Sequence, residues 1–132
     1  MVMTRILAPG AVILAVGLLA AAQPAPAAEL GFYVALAPYI TTTHPCTYHV
    51  KGSCQAELKN TELRFWLRST DGTVNRSGIV RTGTDGFVEW WLPHNKHYIV
   101  TFAYQGLRGT DRFSTFPKDR TCITTTQLRP PN

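Results

Sequence analysis

Methionine is almost missing from this chain. Of its 132 residues only Met1 and Met3 are of that type. A Met-rich thioether site for Cu(I), a common soft-ligand solution in oxidising compartments, is therefore excluded from everything downstream. Charge is sparse too: 16% of residues, with 13 Lys+Arg against 8 Asp+Glu for a net +5. The basic residues are scattered and form no compact run or RNA-binding signature, which argues against a nucleic-acid partner. There is no Gly-x-Ser-x-Gly elbow and no defensible pair of carboxylates, so a hydrolase has no support.

Long apolar runs are absent except at the start. Arg5 precedes the apolar stretch Ile6 to Ala22, which ends in Gln23-Pro24-Ala25-Pro26-Ala27-Ala28. A charged n-region, an apolar h-region and an Ala-x-Ala exit describe a secretory signal peptide over residues 1–28, with cleavage near Ala27 or Ala28. A retained anchor would need a longer span without the Pro-rich punctuation. The expected mature chain, residues 29–132, is one exported domain in the periplasm, cell envelope or extracellular space, with no membrane span. Loss of Arg5 leaves it at 12 − 8 = +4.

Helical periodicity is missing from that domain. Short β-branched and aromatic runs are cut at regular intervals by Gly, Asp, Asn and Pro. Leu63, Phe65 and Leu67 alternate with charged neighbours, and Thr70-Asp71-Gly72 turns the chain into Thr73 to Val80. Asp85-Gly86 leads into Phe87 to Leu92, and His97 to Tyr104 follows. Gln105 to Gly109 turns toward Asp111 to Phe116, and Thr121 to Leu128 closes the series. The segment Gly31 to Leu36 reads as an edge strand or a short helix. These features predict an all-β fold, a small antiparallel sandwich or barrel of about six to seven strands. Most of the aromatics are expected in the core. Trp66 is the exception, because alternation puts it beside Arg64 and Arg68.

Cys46, Cys54 and Cys122 are the only cysteines. In an exported protein the default is a structural disulfide, and an odd count leaves one thiol over. Closing the short Cys46 to Cys54 loop is worth about 2.5 kcal/mol in the chain-entropy treatment. Run as a straight strand, those residues would hold their sulfurs roughly 26 Å apart, at about 3.3 Å per residue. A reversal is therefore required, and Lys51-Gly52-Ser53 supplies one. Three converging thiolates would make a soft-ligand site for Cu(I), zinc or iron–sulfur chemistry. Zinc would want a fourth ligand, from His44 or His49, although the spacing matches no common finger. On the residues alone, a metal site and a disulfide with a spare thiol both stand, and alternation does not settle which way Cys122 points.

The stretches His44-Pro45-Cys46-Thr47-Tyr48-His49, Ser53-Cys54-Gln55-Ala56-Glu57-Leu58, Gly86-Phe87 with Trp91-Leu92-Pro93, and Ser114-Thr115 with Thr121-Cys122-Ile123-Thr124-Thr125 resemble the CueP family of bacterial periplasmic copper-binding proteins. The likeness runs from about Tyr39 to Leu128. It implies that Cys46, Cys54 and Cys122 bind copper as Cu(I), with His44 and His49 as secondary ligands. It also implies copper resistance or sequestration, with supply of copper to a copper/zinc superoxide dismutase as recipient. Reduction of Cu(II) by the same thiols, renewed by a thiol reductant protein, is the enzymatic alternative; a disulfide-stabilised module without metal is the third. His94 and His97 match no ligand position and read as surface histidines. Members of the family carry an additional amino-terminal region associated with dimer formation, whereas only Glu29 to Pro38 precedes the metal domain here, so dimer formation is not carried over.

Overall fold

The computed structural model describes residues 30–132 and the isolated positions Gly10 and Gly17. Apart from those two glycines, the expected signal peptide lies outside the described residues. Among the described residues no helix is long and apolar enough to cross a membrane.

Among the described residues seven strands form two sheets. The first sheet has the order β4 (Val88–Leu92), β1 (Phe32–Leu36), β7 (Cys122–Ile123), with β1 antiparallel to β4 and parallel to β7. The second is a fully antiparallel meander in the order β3 (Asn75–Arg81), β2 (Glu62–Ser69), β5 (His97–Tyr104), β6 (Leu107–Ser114). The architecture is the expected all-β sandwich, with β1 and β7 as the one parallel pair among its named strands.

Alternation along each strand decides what enters the space between the sheets. From β1 come Val34 and Leu36, from β4 Val88 and Leu92, and from β2 Leu63 and Leu67. β5 adds Tyr98, Val100 and Phe102, and all nine side chains are buried in one cluster. Phe65, Trp90 and Phe102 pack together there, with ring centroids 5.0 Å and 5.9 Å apart along the series. The outer strand β3 is largely exposed and carries Arg76 and Arg81 along its length. Charge on an open edge discourages pairing with another chain.

The other face of β1 is the one that positions the site. Ala35 and Ala37 point away from the inter-sheet core and form a second buried cluster with Phe87 and Cys122, against which Tyr33, Cys46, Cys54 and Ala56 pack. Small side chains at 35 and 37 leave room on the outer face of a three-stranded sheet, and the loop from Thr43 to Ala56 fills it.

Four expectations change in detail. Gly31 to Leu36 supplies neither an edge strand nor a helix but the central strand of its sheet, because β4 and β7 pair on either side of it. The closing strand is only Cys122–Ile123, followed by a single parallel bridge from Gln127 to Tyr39. Leu107, Arg108 and Gly109 belong to β6 rather than to the turn, which narrows to Gln105-Gly106. Trp91, read with the core aromatics, lies 45% exposed on the outer face against Tyr33. Trp66 stands on the outer side of β2 as expected, with the Arg108 guanidinium 4.7 Å above its ring.

Candidate metal centre

Register brings the first cysteine to the site. Ala35 of β1 is opposite Cys122 of β7, and Leu36 is opposite Ile123. Ile123 therefore joins the inter-sheet core while Cys122, with no exposed surface, turns to the outer face. This resolves the orientation of Cys122 that alternation alone left open.

The other two cysteines arrive on the covering loop, which is strapped to β7 by its backbone. The Thr47 carbonyl accepts from the Thr121 and Cys122 N–H groups at 2.9 and 3.1 Å. The His49 N–H donates to Thr121 Oγ1 at 3.1 Å, and Thr43 Oγ1 donates to the Thr124 carbonyl at 2.6 Å. The reversal expected at Lys51-Gly52-Ser53 is present: the N–H groups of Ser53 and Cys54 both reach the Val50 carbonyl, at 3.1 and 3.2 Å, and Gly52 has a φ of 85°. That left-handed backbone costs glycine nothing.

The three sulfurs meet. Cys46 and Cys122 are joined in a disulfide, and Cys54 Sγ lies 3.7 Å from Cys46 Sγ as a free thiol. The short-loop bridge between Cys46 and Cys54 is thus replaced by one closing a sequence separation of 76 residues. The reason is the β1–β7 pairing, which delivers Cys122 directly beneath Cys46. His44, half-buried, brings an imidazole nitrogen within 4.8 Å of the Cys46 and Cys54 sulfurs. Thiolate sulfur with imidazole nearby is a donor set suited to Cu(I).

His49 goes elsewhere. Its side chain has no exposed surface, and Nε2 faces Asp85 Oδ2 at 3.4 Å and Glu89 Oε1 at 3.5 Å. The ring packs on Phe87 with centroids 4.2 Å apart. Tyr33, beside it, has its hydroxyl pushed well above the ordinary phenol range by burial first and then by its hydrogen bond to Glu89, with the charges of Glu89, Asp85 and Cys54 adding to the rise. His94 and His97 are exposed, as expected; His94 meets Phe32 edge-on and His97 lies tilted against Phe116.

The positioning roles of two residues, Glu57 and Gly86, were not legible in the sequence. Glu57 folds its carboxylate back on the start of the covering loop and accepts from the N–H groups of Ile40, Thr41 and Thr42 at 2.6 to 3.3 Å. Burial raises its pKa, but these three donors outweigh that and leave it below the usual value. Gly86 permits the loop to close on the turn: its φ is 87°, and a Cβ there would stand 2.8 Å from the Ala56 carbonyl oxygen. Asp-Gly was legible as a turn; its role as the seat for Ala56 was not.

The fold and site together define a class: an all-β sandwich that gathers three cysteine sulfurs, two of them joined in a disulfide, and a histidine beneath a loop on one outer sheet face. The chain belongs to the CueP family, whose family model, described as "Periplasmic copper-binding protein CueP", matches residues 11–127. It is also similar to a solved structure described as "Crystal Structure of S.CueP", with a TM-score of 0.70 and 31% sequence identity, over 74% of this chain and 63% of that one. The chain thus spans less than two thirds of the length of the solved relative. No curated protein matches.

Proposed function

We propose that this protein is exported and that residues 29–132 form one copper-binding domain, which holds Cu(I) through reduced Cys46, Cys54 and Cys122 and keeps His44 as a secondary ligand. The observation that carries this reading is the meeting of three sulfurs, distant in sequence, on one sheet face. In the disulfide form only Cys54 offers a thiol. Loading therefore requires a reductant protein to deliver two electrons and two protons to the Cys46–Cys122 bond, freeing two thiols. The bound ion is sequestered as a resistance function or handed to a copper/zinc superoxide dismutase. Membership of a family described as periplasmic and copper-binding supports this reading.

The Cys46–Cys122 disulfide favours a second use of the same residues. Reduced Cys46 and Cys122 would give one electron each to two Cu(II) ions, producing two Cu(I), one disulfide and two protons. Anaerobic mixing of reduced protein with Cu(II) should then yield Cu(I) and disulfide in a two-to-one ratio. If Cu(II) persists unchanged, this use is eliminated.

The test of the main proposal is a Cu(I) competition with a chromogenic chelator under reducing conditions. Replacing Cys46, Cys54 or Cys122 singly by Ser should weaken binding by at least about tenfold, the loss that even outer-shell changes bring to metal sites. Full affinity in all three variants would overturn it.

A further inference from the structure

We infer that His49, Asp85 and Glu89 form a second metal site, separate from the sulfurs, for a borderline divalent transition ion of the Zn(II) type. Their ligand atoms all lie within 4.8 Å of one another. The argument rests first on what the imidazole lacks. The His49 side chain is fully buried, and neither ring nitrogen has a hydrogen-bond partner, although Nε2 is aimed between two carboxylates. A buried polar group without a partner is rare in folded proteins and calls for an explanation.

The distances supply one. An imidazolium bonded to a carboxylate sits about 2.7–2.9 Å from it. Here Nε2 is 3.4 Å from Asp85 Oδ2 and 3.5 Å from Glu89 Oε1. Ligand atoms about 2.0–2.2 Å from a tetrahedral Zn(II) lie about 3.3–3.6 Å from one another, by the geometry of the tetrahedron. The spacing of Nε2 from the two oxygens is thus too long for direct hydrogen bonds and right for ligands around one ion. One imidazole and two carboxylates are donors that suit Zn(II) and its neighbours rather than Cu(I).

The surroundings fit an exchangeable ion. Asp85 is held by its other oxygen, Oδ1, which accepts from the Phe87 N–H at 3.1 Å, so Oδ2 is left for a ligand role. Asp85 and Glu89 line an open cavity of about 510 Å³, which gives solvent access, whereas His49 closes the site from behind. Lys51, the nearest cation to Glu89, is 82% exposed, with its Nζ 3.9 Å from Oε2, and can swing away. Ala35 pairs with Glu89 on one side and Cys122 on the other, so the two sites share one row across the sheet. At about 4.8 Å per strand, their backbone positions are about 10 Å apart.

The test uses protein in which the sulfurs cannot contribute: oxidised Cys54→Ser chain, with the Cys46–Cys122 disulfide intact. It should take up one Co(II) per chain, displaceable by Zn(II), with the visible bands of a four-coordinate ion and no thiolate-to-cobalt charge transfer. Glu89→Gln, at a partly exposed position that leaves the core untouched, and His49→Gln should each weaken Co(II) binding by at least about tenfold. No uptake of Co(II) or Zn(II) by the folded protein overturns the inference, and so does uptake that neither variant alters. Since Cu(I) binding is read separately on reduced wild-type protein, failure of the thiol reading and failure of this one are distinguishable.

Discussion

Individual residues decide how tightly the covering loop is held. Gly86 is the most sensitive, since Ala56 sits against its backbone and its N–H donates to the Gly83 carbonyl at 3.0 Å. Gly86→Ala forces a side chain into a left-handed conformation, which costs about 1–3 kcal/mol, and adds a collision with Ala56. Denaturant unfolding should show a loss at or above that range, with weaker Cu(I) binding because Cys54 is two residues from Ala56. Glu57 acts more gently. Its pKa is lowered in the folded state, so its stabilisation is complete above the ordinary carboxylate value of about 4.3 and is lost as pH falls through the lower folded value. Glu57→Gln should cost about 1 kcal/mol at neutral pH, a modest figure because the site is open to solvent, and should flatten the acid limb of the stability curve.

At the scale of elements, the β1–β7 pair is what makes a site out of a loop. Two parallel residues suffice, since Ala35 donates to the Thr121 carbonyl at 2.8 Å and Ala37 to the Ile123 carbonyl at 2.9 Å. Ala35 has no exposed surface and lies between Cys122 and Glu89. Ala35→Leu should therefore overpack the outer face, with a cost of about 1–3 kcal/mol in chemical denaturation. It should also displace Cys122 from Cys46 and slow disulfide formation, as followed by thiol trapping. A substitution of the same size at Ile79, 55% exposed on β3, should leave both quantities unchanged.

For the molecule as a whole, the Cys46–Cys122 bond ties β7 back to the loop after β1 across most of the described sequence. The chain-entropy treatment assigns a loop of this length about 4.5 kcal/mol. Reduction should lower the unfolding free energy by up to that amount. Cu(I) at 100 times its Kd should then restore about 2.7 kcal/mol, because a ligand that binds only the folded state stabilises it by mass action. Thermal unfolding of oxidised, reduced and reduced copper-loaded protein checks the order: the reduced form should melt lowest. Equal melting of the two reduced samples would contradict the copper proposal.

The sequence by itself determined the all-β class and the turns at Asp71-Gly72 and Lys51-Gly52-Ser53, since these depend on period-two alternation and on local backbone chemistry, and it supplied the short list of cysteines and histidines from which the proposed ligands are drawn. Only the tertiary structure decided that Gly31 to Leu36 leads into a central strand, that Cys122 faces outward to Cys46, and that His49 turns from the sulfurs toward Asp85 and Glu89. Alternation says that neighbours point to opposite faces without saying which face is which. That choice is made by strand register between segments more than 80 residues apart, such as Ala35 and Cys122.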